Sequence, residues 1–260
     1  MRGSFPVILI LFVIAVGYVL WHLWRITPSG WPVKLAVTAA FVLWFATMFA
    51  GFSLTENLPL REASIVYNLG HPWMIAFLYA LILFLLADIA VLCRILPGSL
   101  LKDSLAGLLG VVTIVAAVMF AGSLHYHHKY RERLEIKTQK PLERPLNIVL
   151  ASDLHLGYLN DRKEFARWVD LINAENPDLV LLAGDVADRS VRALREGGFV
   201  DEFNKISAPV YTGVTDAIYE KSWGHHVRSK TRYYISSGMG AWGAGMRVGS
   251  RSEYLVLHLY

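Results

Sequence analysis

Two acids and an imidazole stand where apolar runs stop. Asp153 and His155 close LNIVLASDLHLGY (146–158), and Asp185 follows the run DLVLLAG inside LLAGDVAD (181–188). Carboxylate oxygens and an imidazole nitrogen converging on one point form a mixed O/N donor set, suited to Mn²⁺, Fe or Zn²⁺ rather than to Ca²⁺. Asp185 has two oxygens and enough charge to bridge two such ions. Each acid taken singly also fits a plainer role as a helix cap or loop acid after a buried strand.

Convergence requires elements that carry these residues to one place. NIVLAS (147–152) reads as a strand, the stretch 161–174 places Phe165, Trp168, Val169 and Ile172 at helical spacing, and DLVLLAG (178–184) reads as a second strand. Asn176 and Pro177 stop the helix between them. Two apolar strands joined through a helix form a βαβ unit with parallel strands. Both strands then end at one sheet edge, where α/β folds bind ligands. A third repeat follows, with a helix expected over 191–206 and a strand in APVYTGV (208–214). Beyond it the chain offers a strand at 232–236, a glycine-rich loop and a last strand at 253–259.

The first half of the chain is of another kind. Of the 46 charged residues, only 10 lie in 1–124. Four stretches, 5–24, 35–54, 73–92 and 105–124, are each long and apolar enough to cross a bilayer core about 30 Å thick. Trp21, Trp24, Trp31 and Trp73 sit near their ends, as interfacial aromatics do. The chain thus divides into four transmembrane helices (1–124), a juxtamembrane segment (125–145) and a soluble domain (146–260). The segment is expected as a helical extension of the fourth span followed by a linker. His125, His127 and His128 form a juxtamembrane collar in this reading, and Asp88, the one acid inside a span, lies near its end with Arg94 close by. Arg2, Arg61 and the cluster Lys129, Arg131, Arg133 and Lys137 tip the soluble domain toward the cytoplasmic side. Residues after 124 hold 19 Lys and Arg against 17 Asp and Glu, so no polybasic block suggests a nucleic acid partner. The single cysteine, Cys93, excludes an intramolecular disulfide and a zinc-cysteine site.

At this point the soluble half resembles the calcineurin-like metallophosphoesterases. ASDLHLGY matches the D-x-H motif of that family and LLAGDVAD its G-D-x-x-D motif, while YYISSGMGAWGAGMRVGSRSEYLVLHL is similar to the closing segment of the membrane-associated branch that resembles UDP-2,3-diacylglucosamine pyrophosphatases. The resemblance implies an α/β sandwich, two divalent metals, and hydrolysis of a phosphoester or pyrophosphate by a metal-activated hydroxide. Asp153, His155 and Asp185 would be ligands, Asp185 the bridging one, with Asp188 supporting its loop. In a bacterial cytoplasmic membrane the substrate class would extend to lipid-linked and nucleotide-lipid phosphoesters.

The departures from the family pattern carry equal information. Its G-N-H-[DE] motif should follow the third strand, yet TDAIYE stands after APVYTGV, and the later histidine motifs have no counterpart. Gly224, His225 and His226 differ in spacing from G-H-x-H by one residue, and His258 sits in the terminal strand. The middle of the catalytic domain therefore reads as deleted and the second metal position as incomplete. The alternative function is a catalytically impaired relic or membrane interaction protein, with one sheet face left bare.

Overall fold

The computed structural model describes residues 5–188, 191–213, 224–228 and 231–260. It divides into two compact units, 1–53 with 69–120, and 54–68 with 121–260.

The first unit is helical. Helices α1 (Phe5–Ile26), α2 (Trp31–Ser53), α4 (Pro72–Leu92) and most of α5 (Leu105–His127) are almost wholly apolar, while α3 (Leu60–Gly70), which precedes α4, falls almost entirely in the second unit. Four apolar stretches in these helices have the length and hydropathy of membrane spans. The core of this unit packs Val19, Ile26, Trp73, Phe77 and Phe84, with Trp73 and Phe77 stacked at 4.8 Å. Asp88 faces another helix of the bundle. Its carboxylate accepts from Tyr18 Oη at 2.6 Å and lies 3.0 Å from His22 Nε2, tying α4 to α1. In an apolar bundle a carboxylate needs such partners, and side chains one turn apart on α1 supply both.

The second unit is built on one mixed sheet of order β1-β7-β2-β3-β4. Its strands are β1 (Lys129–Ile136), β2 (Leu146–Ser152), β3 (Leu179–Ala183), β4 (Val210–Gly213) and β7 (Ser252–Leu259), and a separate hairpin pairs β5 (Gly224–Arg228) with β6 (Thr231–Ile235). Strands β2, β3 and β4 run parallel, as the βαβ pattern requires. Helix α6 (Arg162–Ala174) connects the first two, with Asp161 as its N-cap accepting from Glu164 N at 2.9 Å. Alternation along each strand sorts the side chains onto two faces. Val149 and Ala151 of β2, Val180 and Leu182 of β3, and Tyr254 and Val256 of β7 bury against Phe165, Trp168, Val169 and Ile172 of α6. At roughly 1.5–3 kcal/mol for each large apolar side chain buried, this face is the main source of stability. The opposite face collects Ile148, Leu255 and Leu257, with Leu134, Ile136, Leu150 and Leu181 only partly covered among the described residues.

Three elements depart from the sequence expectations. Residues 129–136, expected within a helical extension and linker, form β1, parallel to β7 from Lys129 opposite Ser252 to Ile136 opposite Leu259. Their exposure alternates strictly from Tyr130 onward, but charges fill the outward positions and Glu132 an inward one, so the segment looks uniformly polar in sequence. The helix expected over 191–206 is two helices, α7 (Val191–Glu196) and α8 (Phe199–Phe203). The break is Gly197-Gly198; Gly198 has φ +70, and a Cβ there would lie 2.7 Å from Arg162 Nη1. Between the second and third expected spans stands a further helix, the amphipathic α3, where the sequence reading places no element.

Candidate metal centre

Strand register places the three candidate ligands. Ser152 pairs with Ala183 at the parallel ends of β2 and β3, so Asp153 and Gly184-Asp185 leave the sheet side by side. The loops then cross-link: His155 N donates to Asp185 O at 2.8 Å, Leu156 N to Val186 O at 2.9 Å, and Asp188 N to Leu156 O at 3.0 Å. One ligand atom each from Asp153, His155 and Asp185 lies within 4.8 Å of the others. His155 Nε2 is 3.7 Å from Asp185 Oδ2. Bonds of about 2.0–2.2 Å allow two atoms on one ion to be up to roughly 4.4 Å apart, so this set fits a small divalent cation after closure by a few tenths of an ångström. The Asp185 side chain, 68% exposed, is free to make that adjustment. Among the described residues no other His, Cys, Asp and Glu group converges in this way.

The backbone at the site is unusual. Asp153, His155 and Asp185 all have positive φ, at 52°, 42° and 44°. Non-glycine residues rarely adopt this region, and such conformations concentrate at functional sites where the surroundings hold them.

What holds Asp153 and His155 there comes largely from outside the βαβ unit. The glycine-rich segment presses its backbone against the first loop: Met239 N donates to Ser152 O at 3.0 Å and Gly240 N to Asp153 O at 2.9 Å. A Cβ at Gly238, where φ is +82, would lie 2.7 Å from Asp153 Cβ and Oδ2, and one at Gly240 would lie 2.4 Å from the carbonyl oxygens of Asp153 and Leu154. Only glycine permits that approach. Arg247 holds the segment by donating to Gly238 O at 3.3 Å and to Gly240 O. Burial pushes its guanidinium below the usual arginine range, against the opposing pull of Asp153, Tyr126 and Glu253. Lys129, with a side chain 3% exposed, donates to Met239 O at 2.9 Å and to Tyr126 O at 2.6 Å. Burial brings its ammonium down to about 7, with Glu164 pulling the other way.

Asn160 is the second clamp. Its fully buried amide donates to Leu154 O at 2.8 Å, His155 O at 3.0 Å and Ala241 O at 3.5 Å, while its carbonyl accepts from Tyr126 Oη. A third hold comes from the 54–68 segment. Ser64 Oγ and Asn68 Nδ2 donate to Tyr158 O at 2.8 and 3.1 Å, and Tyr158 Oη donates to Thr55 O at 3.3 Å.

Several residues weighed from sequence lie outside the cluster. Asp188 packs beside Gly157, within 3.1 Å of where a Cβ on that glycine would sit, and is not one of the converging donors. His127 Nδ1 lies 2.9 Å from Ser123 O within its own helix, and His258 sits in β7 opposite Asn147. His225 and His226 are in β5, but their side chains, like TDAIYE after β4, lie outside the described residues. Asn160, Arg247 and Lys129 were not legible as site residues. The glycine-rich segment was visible only as a tight loop.

Residues 146–219 match the calcineurin-like phosphoesterase family. A Danio rerio protein named transmembrane protein with metallophosphoesterase domain is 44% identical over 50 residues, 19% of this chain and 11% of the relative. A Caenorhabditis elegans protein named as a metallophosphoesterase is 28% identical over 144 residues, 50% of this chain and 30% of the relative. The chain thus spans less than a third of the length of these relatives. No solved structure matches it.

Proposed function

From a chain that joins four apolar, membrane-length helices to a calcineurin-like phosphoesterase domain, we propose a membrane-anchored, metal-dependent phosphoesterase in which Asp153, His155 and Asp185 are ligands. The observation that carries this reading is the convergence of their donor atoms within 4.8 Å at the ends of adjacent parallel strands. Divalent ions held there would supply Lewis acidity, clamping phosphoryl oxygens and lowering the pKa of water, with two ions acting together in the full two-metal form. The chain's own contribution is placement. Asp185, the most exposed of the three, is the donor best able to span two ions, and the Asn160 and glycine clamps fix the Asp153 and His155 loop beneath it.

Lipid-linked phosphoesters or pyrophosphates are the substrate class we favour. Support comes from register: Lys129, two residues beyond α5, pairs with Ser252 at the start of β7, and β7 pairs antiparallel with β2, so the ligand edge is the edge at which α5 ends. The Lys and Arg distribution supports a cytoplasmic-facing domain.

A second reading has its own observation. Only three donors converge among the described residues, enough to hold one ion and too few to complete the coordination of a second. Purified full-length protein in detergent with Mn²⁺ separates the two. Turnover of bis-p-nitrophenyl phosphate that disappears in Asp185→Ala supports the hydrolase. One bound ion per chain with no turnover supports the impaired form.

A further inference from the structure

We infer that the loop 241–250 lies in the membrane interface, with Val248 and Trp242 in contact with lipid. The proposal needs α5 to span the bilayer and is independent of the hydrolase reading.

The starting point is the C-terminal end of α5. Its two buried residues are Gly122 and Tyr126, one turn apart and therefore on one face. The loop covers that face. Arg247 N donates to Gly122 O at 3.0 Å, and a Cβ on Gly122 would lie 3.2 Å from Val248 Cγ2 and 3.4 Å from Met246 Cβ. Gly245 similarly comes close to the Tyr126 ring, 3.6 Å from the place its own Cβ would take. The absence of side chains at positions 122 and 245 lets loop and helix meet backbone to backbone. The loop is therefore seated at a fixed level on α5.

That level follows from helix geometry. Gly122 lies 17 residues after Leu105, the start of α5, which at 1.5 Å per residue is about 26 Å along the axis, against an apolar core about 30 Å thick. Leu124, on another face of the same turn, is 57% exposed. His125, His127 and His128 follow at once. This is the boundary between acyl chains and headgroups.

At that boundary the loop leaves Val248 49% exposed and Trp242 48% exposed. Against water such a pair gives up hydrophobic stabilisation. At the interface it gains it, and tryptophan is the residue most at home there. The same segment begins with Gly238 and Gly240, whose backbone touches the Asp153 loop. Lipid would thus press on one end of a continuous stretch whose other end shapes the metal-ligand loop.

The test uses the full chain in phosphatidylcholine–phosphatidylglycerol vesicles. In a Cys93→Ser background, Val248→Cys and Trp242→Cys carry an environment-sensitive nitrobenzoxadiazole probe. Gln139→Cys, exposed beyond the far end of β1, serves as the reference. Lipid nitroxides at a shallow acyl position should quench the 248 and 242 probes several-fold more than the 139 probe, and aqueous iodide should show the reverse order. If iodide quenches all three alike and lipid nitroxide none, the loop is in water and the inference fails. The readout involves no turnover, so an inactive protein with a lipid-quenched loop would still support it.

Discussion

The two loops that carry the candidate ligands are held in opposite ways. The 153–160 loop is gripped by the glycine-rich segment, by Asn160 reaching to Tyr126, and by Ser64 and Asn68 from a distant part of the chain. The 184–188 loop hangs on the sheet through its hydrogen bonds to the first loop and presents a carboxylate 68% exposed. One loop is a fixed floor and the other an adjustable arm. A site of this kind keeps its geometry through the fixed loop and adapts to its ligand through the other.

Substitutions that attack the fixed loop should have the largest effects. Asn160→Ala removes an amide that serves three carbonyls and leaves Tyr126 Oη without its acceptor; a loss of roughly 3–4 kcal/mol is expected, read as a lowered unfolding midpoint in detergent with weakened Mn²⁺ binding. Gly238→Ala comes next. Its Cβ would meet Asp153 at 2.7 Å in a left-handed backbone, so about 2–3 kcal/mol of stability should be lost, with the metal affinity falling alongside. An unchanged midpoint in either variant would show that the first loop is no more fixed than the second.

Lys129 sharpens the comparison through pH. Its ammonium titrates near 7 in the folded domain, against 10.5 for the group unperturbed. Between those values the unfolded chain binds the proton that the folded one has given up, so stability should rise with pH from about 7 upward and stay level, for this group, below it. Lys129→Met should flatten that rise in a thermal melt series. On the adjustable arm, Asp185→Asn should shift the melting midpoint by no more than about 0.5 kcal/mol equivalent while weakening metal binding. A large loss of stability there would erase the distinction between the loops.

The legible part of this molecule is the part written in local pattern. The spans and the β2-α6-β3 unit follow from apolar period and length, and Asp153, His155 and Asp185 stand out because chemistry-bearing residues interrupt that pattern. What stayed hidden was set by distant pairing. Tyr130, Leu134 and Ile136 alternate correctly for a strand, but Arg131, Arg133 and Glu135 dominate the view, and only β7 gives the segment its ladder. Asn160 carries no local signal at all; its role exists because Tyr126 and Ala241 arrive from elsewhere. Asp88 was visible as an acid in a span, while its partners Tyr18 and His22 belong to another helix.

The position of β7 has a consequence for how the protein is made. This strand lies between β1 and β2, parallel to one and antiparallel to the other. During synthesis the spans and the βαβ unit can form early, but β1 has no neighbour in the sheet until residues 252–259 leave the ribosome. For that interval the membrane would carry a half-built sheet with two open edges on either side of a missing strand. Such edges invite pairing with other chains. The charges along β1 then act as a temporary guard, keeping the waiting strand soluble until the late-arriving partner slots between its neighbours.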